Sequence, residues 1–186
     1  SPMPMVTLTK TFNITHIYKV SKKRGLKLNM LLCWCMCKAA SQVEEFYTLP
    51  IGGKLFRFDL LAVNVIVPNA KGGISSCDIP YTDNFEQFCK DYDARTSSVA
   101  KSCQSIFEEE YMVVGTSAMI ATELDCIVNQ YTDKFLNPMV MWGRYRERWF
   151  KKTLPISFQF HHTQMDCAHA AKFLDILRRE IDMMKG

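Results

Sequence analysis

The strongest constraint on what this chain can fold into is a change of hydrophobic period between residues 154 and 184. Leu154, Ile156, Phe158 and Phe160 alternate with Pro155, Ser157, Gln159 and His161, the period-2 pattern of a strand with a buried face. Downstream, Ala170, Phe173, Leu174, Leu177, Ile181 and Met184 recur at helical spacing, with Lys172, Asp175, Arg178, Arg179, Glu180 and Asp182 on the remaining faces. That is an amphipathic helix. The two patterns meet at His161-His162-Thr163-Gln164-Met165-Asp166. If the strand register continues, His162 falls on the apolar side, where desolvation would favour a neutral imidazole able to accept a proton near neutral pH.

The rest of the chain supplies the layers this junction needs. Residues 5–12 alternate as a strand, and Asn13 is placed to cap a short helix that ends in a basic turn at residues 21–25. Residues 26–42 predict a longer, largely buried helix. Strand segments follow between residues 46 and 67, interrupted at Gly52-Gly53. A helix opens at Thr82 or Asp83 and runs to about residue 105. Residues 111–114, 119–128, 140–148 and 153–161 predict strands, and the closing helix starts near Cys167. Helices, then strands without regular alternation, then a last helix point to an α/β two-layer sandwich with a large mixed sheet and helices packed on one side. A length of 186 residues suits one domain spanning 1–186.

Several function classes recede on composition. No apolar run is long enough to span a bilayer, and Ser1-Pro2-Met3-Pro4 does not open like a secretory leader, so a cytoplasmic location is expected. A short N-terminal segment is expected ahead of Ser1. Eight cysteines sit mostly within apolar patterns and predict buried thiols rather than a disulfide framework. Cys33, Cys35 and Cys37 are two apart on a helix, point to nearly opposite sides and cannot converge on one zinc, so no metal is expected there. The net charge of +4 is modest, with basic clusters only at Lys22-Lys23-Arg24 and residues 144–152. An anionic small molecule fits this balance; neither a nucleic-acid nor a membrane partner is expected.

Three of the four histidines lie within nine residues of one another beside Asp166. Four readings fit them: strand-end residues hydrogen-bonded for structural reasons; a metal site from His162, Asp166 and His169, although HHxxxD is no standard zinc spacing; a Cys167 thiolate paired with a histidine at a helix start; and His162 as a general base with Asp166 organising the turn.

The stretch His161 to His169 resembles the HHxxxDGxH signature of the chloramphenicol acetyltransferase family. Leu154-Pro155 leads into the paired histidines as that family's LPxxxxxHH strand does, and Asn137-Pro138 and Trp142-Gly143-Arg144-Tyr145 are similar to its Pro and Gly-Lys-Tyr landmarks. The resemblance covers essentially the whole chain. It implies a coenzyme A-dependent acyltransferase fold and transfer of an acetyl group from acetyl-CoA to the hydroxyl of a small acceptor, without a covalent acyl-enzyme. It further implies His162 as the base and Asp166 as a structural brace paired with an arginine from a segment ahead of the first strand. Arg144 and Tyr145 match residues near the coenzyme A nucleotide. The site would lie between subunits of a homotrimer, with chloramphenicol as one possible acceptor and antibiotic resistance as the corresponding role.

Three departures from the pattern stand out. Cys167 replaces a glycine, which implies strain if φ is positive there. Gly115 falls where the family carries an oxyanion-stabilising serine, leaving Thr116 or Ser117 to supply a hydroxyl. Ala118-Met119 replaces a Pro-Trp pair. Met3, Met5, Met119, Met139 and Met141, near strand or pocket positions, suit an apolar, adaptable acceptor pocket, with core packing the favoured reading for most of them. The departures also leave open a trimeric binding or scaffold protein of the same fold that has lost turnover.

Overall fold

In a computed structural model, the structure describes residues 4–130, 132 and 134–186; of the methionines named above, Met3 lies outside them. Nine strands and four helices follow in the order β1 (Met5–Asn13), α1 (Thr15–Arg24), α2 (Leu28–Ala40), β2 (Thr48–Ile51), β3 (Lys54–Arg57), β4 (Leu60–Pro68), β5 (Ile74–Pro80), α3 (Phe85–Ser102), β6 (Tyr111–Glu123), β7 (Met139–Arg144), β8 (Arg146–Arg148), β9 (Lys151–His161) and α4 (Cys167–Asp182). The main sheet has the order β1-β9-β7-β6-β4-β5, with β8 added to β9. The β4–β6 and β6–β7 pairs are parallel and the rest antiparallel, so the sheet is mixed, as expected.

Alternation along the strands divides the sheet into two unlike faces. Leu61, Val63 and Val65 of β4, Cys77 and Ile79 of β5, Met112 and Val114 of β6, Val140 and Trp142 of β7, and Ile156, Phe158 and Phe160 of β9 are all buried and share one core with the helices. α2 is buried on almost every side, as a helix apolar all round must be. α4 contributes Ala170, Phe173, Leu174, Leu177 and Ile181. Phe173 lies 4.7 Å from both Phe46 and Phe158, ring centre to ring centre, which ties the closing helix to the middle of β9. The opposite face carries Thr7, Thr9, Ser117, Met139, Met141, Ser157 and Gln159. This row is polar and methionine-rich, and residues 127–129 lie over it: Ile127 N donates to Ser157 Oγ at 2.9 Å and Gln159 Nε2 to Asn129 O at 3.1 Å.

Some element boundaries differ from those expected. Residues 111–123 form one continuous strand rather than two, because β6 is hydrogen-bonded on both sides by β4 and β7. The segment 140–148 divides at Tyr145 into β7 and β8. α3 is capped by Asn84, whose Oδ1 accepts from Gln87 N at 3.0 Å, rather than by Thr82 or Asp83. Asn13 Oδ1 accepts from Thr15 N at 3.1 Å at the start of α1. Gly52 and Gly53 both take positive φ in the tight turn between β2 and β3.

Candidate active site

The junction between β9 and α4 is held at nearly every residue. The β1–β9 ladder ends with His161 opposite Met5. His162 N then donates to Pro4 O at 2.8 Å, and Gln164 N to His161 O at 2.9 Å. His161 Nδ1 accepts from Thr163 N at 3.1 Å, so this ring nitrogen carries no proton. Burial, followed by the nearby His162, holds the His161 imidazole below its usual pKa, which suits a neutral ring. Gln164 reaches from the turn into the fold, where its Nε2 donates to Thr48 O at 2.7 Å and Glu45 O at 3.2 Å.

The expectation that His162 points inward is corrected. The ladder stops at His161 and the chain turns at once, so His162 does not continue the Phe158–Phe160 register. His161 is the buried member of the pair, at 8% exposure, while His162 is open to solvent in the single chain.

Asp166 caps α4. One carboxylate oxygen accepts from Ala168 N at 2.8 Å and from His169 N at 3.0 Å, two of the free amides of the first helical turn. His169 Nδ1 lies 2.9 Å from the same oxygen, and His169 Nε2 lies 3.1 Å from Glu45 Oε1. The His169 amide and then the His169 charge hold the Asp166 carboxyl below the usual carboxylate range. Thus the partner of Asp166 among the described residues is a histidine one turn along the same helix. No signal in the sequence pointed to Glu45, which joins this network across 124 positions. Cys167 sits at the first position of α4; among the described residues only Cys103 and Trp149 are non-glycine residues with positive φ, so the strain anticipated at Cys167 does not arise.

On β6 the two hydroxyl candidates face opposite ways. Thr116 follows Met112 and Val114 on the helix-facing side, is buried, and donates its hydroxyl to Asn64 O at 2.7 Å. Ser117 lies on the open face, in register with Met141 and through it with Ser157. Parity along the strand was the signal that distinguishes them. Gly115 is on the same face as Ser117 but buried, and a Cβ built there would clash with Met139 Sδ and meet Met139 Cε at 3.3 Å. The methionine thioether therefore occupies the space a side chain at position 115 would need.

Arg144 and Tyr145 lie where β7 ends. Arg144 is exposed, and Tyr145 packs its ring 5.4 Å from that of Tyr18. Both line a cavity of about 450 Å³ whose walls include Leu28, Leu32, Ile120, Trp142 and Leu154, with Lys27 at one side. Apolar walls beside two cations suit a long apolar arm with an anionic end. Among the described residues no three His, Cys, Asp or Glu side chains converge as a metal site. Cys33, Cys35 and Cys37 are all buried, and burial pushes the Cys33 thiol up to about 12.

Residues 5–178 match the family model described as chloramphenicol acetyltransferase. The chain belongs to the chloramphenicol acetyltransferase family. A chloramphenicol acetyltransferase of Bacillus pumilus is 24% identical over 178 residues, covering 92% of this chain and 80% of the relative. A solved chloramphenicol acetyltransferase superposes with a TM-score of 0.80 at 17% identity, covering 96% of this chain and 88% of that one. The cubic core of the pyruvate dehydrogenase multienzyme complex does so with a TM-score of 0.74 at 16% identity, covering 97% and 82%. At these identities the two structures establish the fold, that of the coenzyme A-dependent acyltransferase cores. Membership of the family supports an acetyltransferase of the chloramphenicol acetyltransferase type.

Proposed function

We propose that the chain transfers an acetyl group from acetyl-CoA to the hydroxyl of a small acceptor, with His162 as the general base. The observation that carries this reading is the turn itself: the backbone on both sides of His162 is pinned, while its ring makes no hydrogen bond with the described residues. The imidazole takes the proton of the acceptor hydroxyl as that oxygen attacks the thioester carbonyl. The tetrahedral intermediate collapses with cleavage of the C–S bond, and the imidazolium returns the proton to the departing thiolate, giving the acetyl ester and free coenzyme A. Asp166 takes no proton; it fixes the start of α4, and with it the turn that carries the base.

A base open to bulk water is a poor one, and a second copy of the chain would supply the missing wall. We assign the site to the interface of a homotrimer, in which the Ser117 side of one sheet covers His162 of a neighbour. Ser117 is assigned as the donor to the oxyanion, since the Thr116 hydroxyl is committed to Asn64. Arg144 and Tyr145 are assigned to the nucleotide end of coenzyme A. Leu154, on the cavity wall, and His161 lie at opposite ends of one stretch of β9, roughly 23 Å apart, a span suited to an extended acyl-carrier arm.

Release of thiol from acetyl-CoA, measured with chloramphenicol and then with a panel of hydroxyl compounds, tests the reading. His162→Ala is expected to lower the rate by about a hundredfold or more with the fold intact. Thiol release that survives this change would sink the mechanism. Gly115→Ser requires the outer part of the flexible Met139 side chain to move aside. Combined with Met139→Ala, which clears that space, it is expected to raise the rate if a hydroxyl at position 115 reaches the oxyanion, by up to about a hundredfold. An unchanged rate in a folded double variant would show that position 115 does not serve the oxyanion.

A further inference from the structure

The tip of the hairpin joining β8 to β9 is unlike the rest of the surface. Arg148 pairs with Lys151, which leaves Trp149 and Phe150 as a two-residue loop, and each is 92% exposed. Such loops favour glycine or asparagine where φ is positive, yet Trp149 holds φ at 56°. A bulky residue adopts that backbone only under strain. Directly behind the rings, Arg148 and Lys151 face one another across the ladder as like charges, which weakens a strand pair. Neither has an ion-pair partner among the described residues. Their neighbours do: Arg146 is held by Asp125 and Glu123, and Lys152 by Glu147 at 2.5 Å and the ring of Tyr18. Residues 144–152 carry five basic side chains against one carboxylate.

Strained backbone, hydrated aromatic rings and opposed cations each disfavour this hairpin in water. One surrounding relieves the last two together: an apolar layer that takes the rings, bounded by anions that separate the cations. We infer that the β8–β9 hairpin is a membrane-docking tip, with Trp149 and Phe150 entering the headgroup boundary of an anionic lipid leaflet and Arg148 and Lys151 pairing with its phosphates. The rings stand at the apex with the cations one residue behind, which matches a planar interface, and the carboxylates beside the tip, Glu123, Asp125 and Glu147, are paired with Arg146 and Lys152. The expectation of no membrane partner rested on the lack of a spanning segment. Among the described residues no helix is long and apolar enough to cross a membrane, and docking at a surface needs none. The tip lies at the opposite end of β9 from His161, so attachment leaves the histidine turn free, while the cavity lined by Arg144, Tyr145 and Leu154 is on the side of the hairpin.

Tryptophan fluorescence of the full chain tests this. Trp34 and Trp142 are buried, at 8% and 3% exposure, so a change in solvent exposure reports on Trp149. Vesicles of three parts phosphatidylcholine to one part phosphatidylserine should shift the emission to the blue and carry the protein down on sedimentation. Phosphatidylcholine alone should do so far less, and added salt should weaken the effect. The double change Trp149→Ala, Phe150→Ala is expected to reduce partitioning about tenfold or more, and Arg148→Ser with Lys151→Ser about fivefold per charge, both with the thermal midpoint preserved. No blue shift with anionic vesicles, or sedimentation undiminished in the folded aromatic variant, would overturn the inference. So would lipid-free self-association that disappears in that variant, since the hairpin would then dock a second copy.

Discussion

At its C-terminal end β9 runs into a turn in which nearly every residue is tied to the fold, whereas at its N-terminal end it leaves a hairpin whose apex touches almost nothing. The turn has Pro4, Thr48, Glu45 and the α4 amides as partners; the hairpin has its ladder and the ion pairs two and three residues behind the tip. Both ends belong to the same eleven-residue strand, buried along most of both faces. The difference fits the two roles proposed for these ends. A base that must meet a reacting proton gains from a fixed backbone, because small displacements of a catalytic group cost rate steeply. A strained turn under two exposed rings gains nothing for the isolated fold, and such strain persists where another requirement outweighs it.

Removing the middle of the strand should abolish the contrast by unsettling both ends together. Phe158 lies within 5.6 Å of the rings of Phe46, Phe160 and Phe173, and Phe158→Ala is expected to cost about 3–5 kcal/mol in urea unfolding. Asp166→Ala should act on one end alone. It removes the cap of α4 and loosens the turn, so acetyl transfer should fall roughly tenfold while the thermal midpoint drops by a few degrees and any vesicle response of the hairpin stays unchanged. The stability part has a defined pH window. Because the folded Asp166 carboxyl titrates below the usual range, its contribution is present in full above the unfolded value near 4 and is lost as pH falls through the lower folded value. The gap in urea midpoint between the parent and Asp166→Ala should therefore close below about pH 4. A gap that persisted at pH 2 would mean that Asp166 acts through something other than its charged form.

The same two ends differ in how far they can be read from the sequence. The β9–α4 junction is legible because its apolar periods are strong on both sides and change abruptly, and the HHxxxD pattern falls in the gap. What the pattern could not supply was the end of the ladder: whether a strand stops at His161 or His162 is set by where β1 begins to pair, and that reversed which histidine is buried. The middle of β6 was hidden for another reason. Gly115, Thr116, Ser117 and Ala118 are small or polar, and their strand conformation comes from backbone bonds to β4 and β7 rather than from side-chain preference. The Met139 thioether over Gly115 and the Glu45–His169 contact join residues far apart in the chain, and a single sequence carries no signal for such pairs. The hairpin tip was visible as a basic cluster; the strain at Trp149 was not, because a positive φ at tryptophan is the choice no turn preference would predict.

The smallest expected effect separates the two ends most sharply. Glycine reaches positive φ without the Cβ clash that tryptophan meets, although it also gives the unfolded chain more freedom to lose. Trp149→Gly should therefore raise stability by up to about 1 kcal/mol, read as a small increase in urea midpoint at unchanged slope. The rate of acetyl transfer at saturating acetyl-CoA should not move, since His162 lies beyond the other end of β9. Binding to anionic vesicles should nonetheless fall, because half of the exposed ring surface is gone. A residue whose removal strengthens the fold, spares the chemistry and weakens attachment is held in place by attachment. If Trp149→Gly instead destabilises the chain by 1 kcal/mol or more, the ring contributes to the fold in water, and the contrast between a tied turn and an untied tip fails at the residue on which it rests.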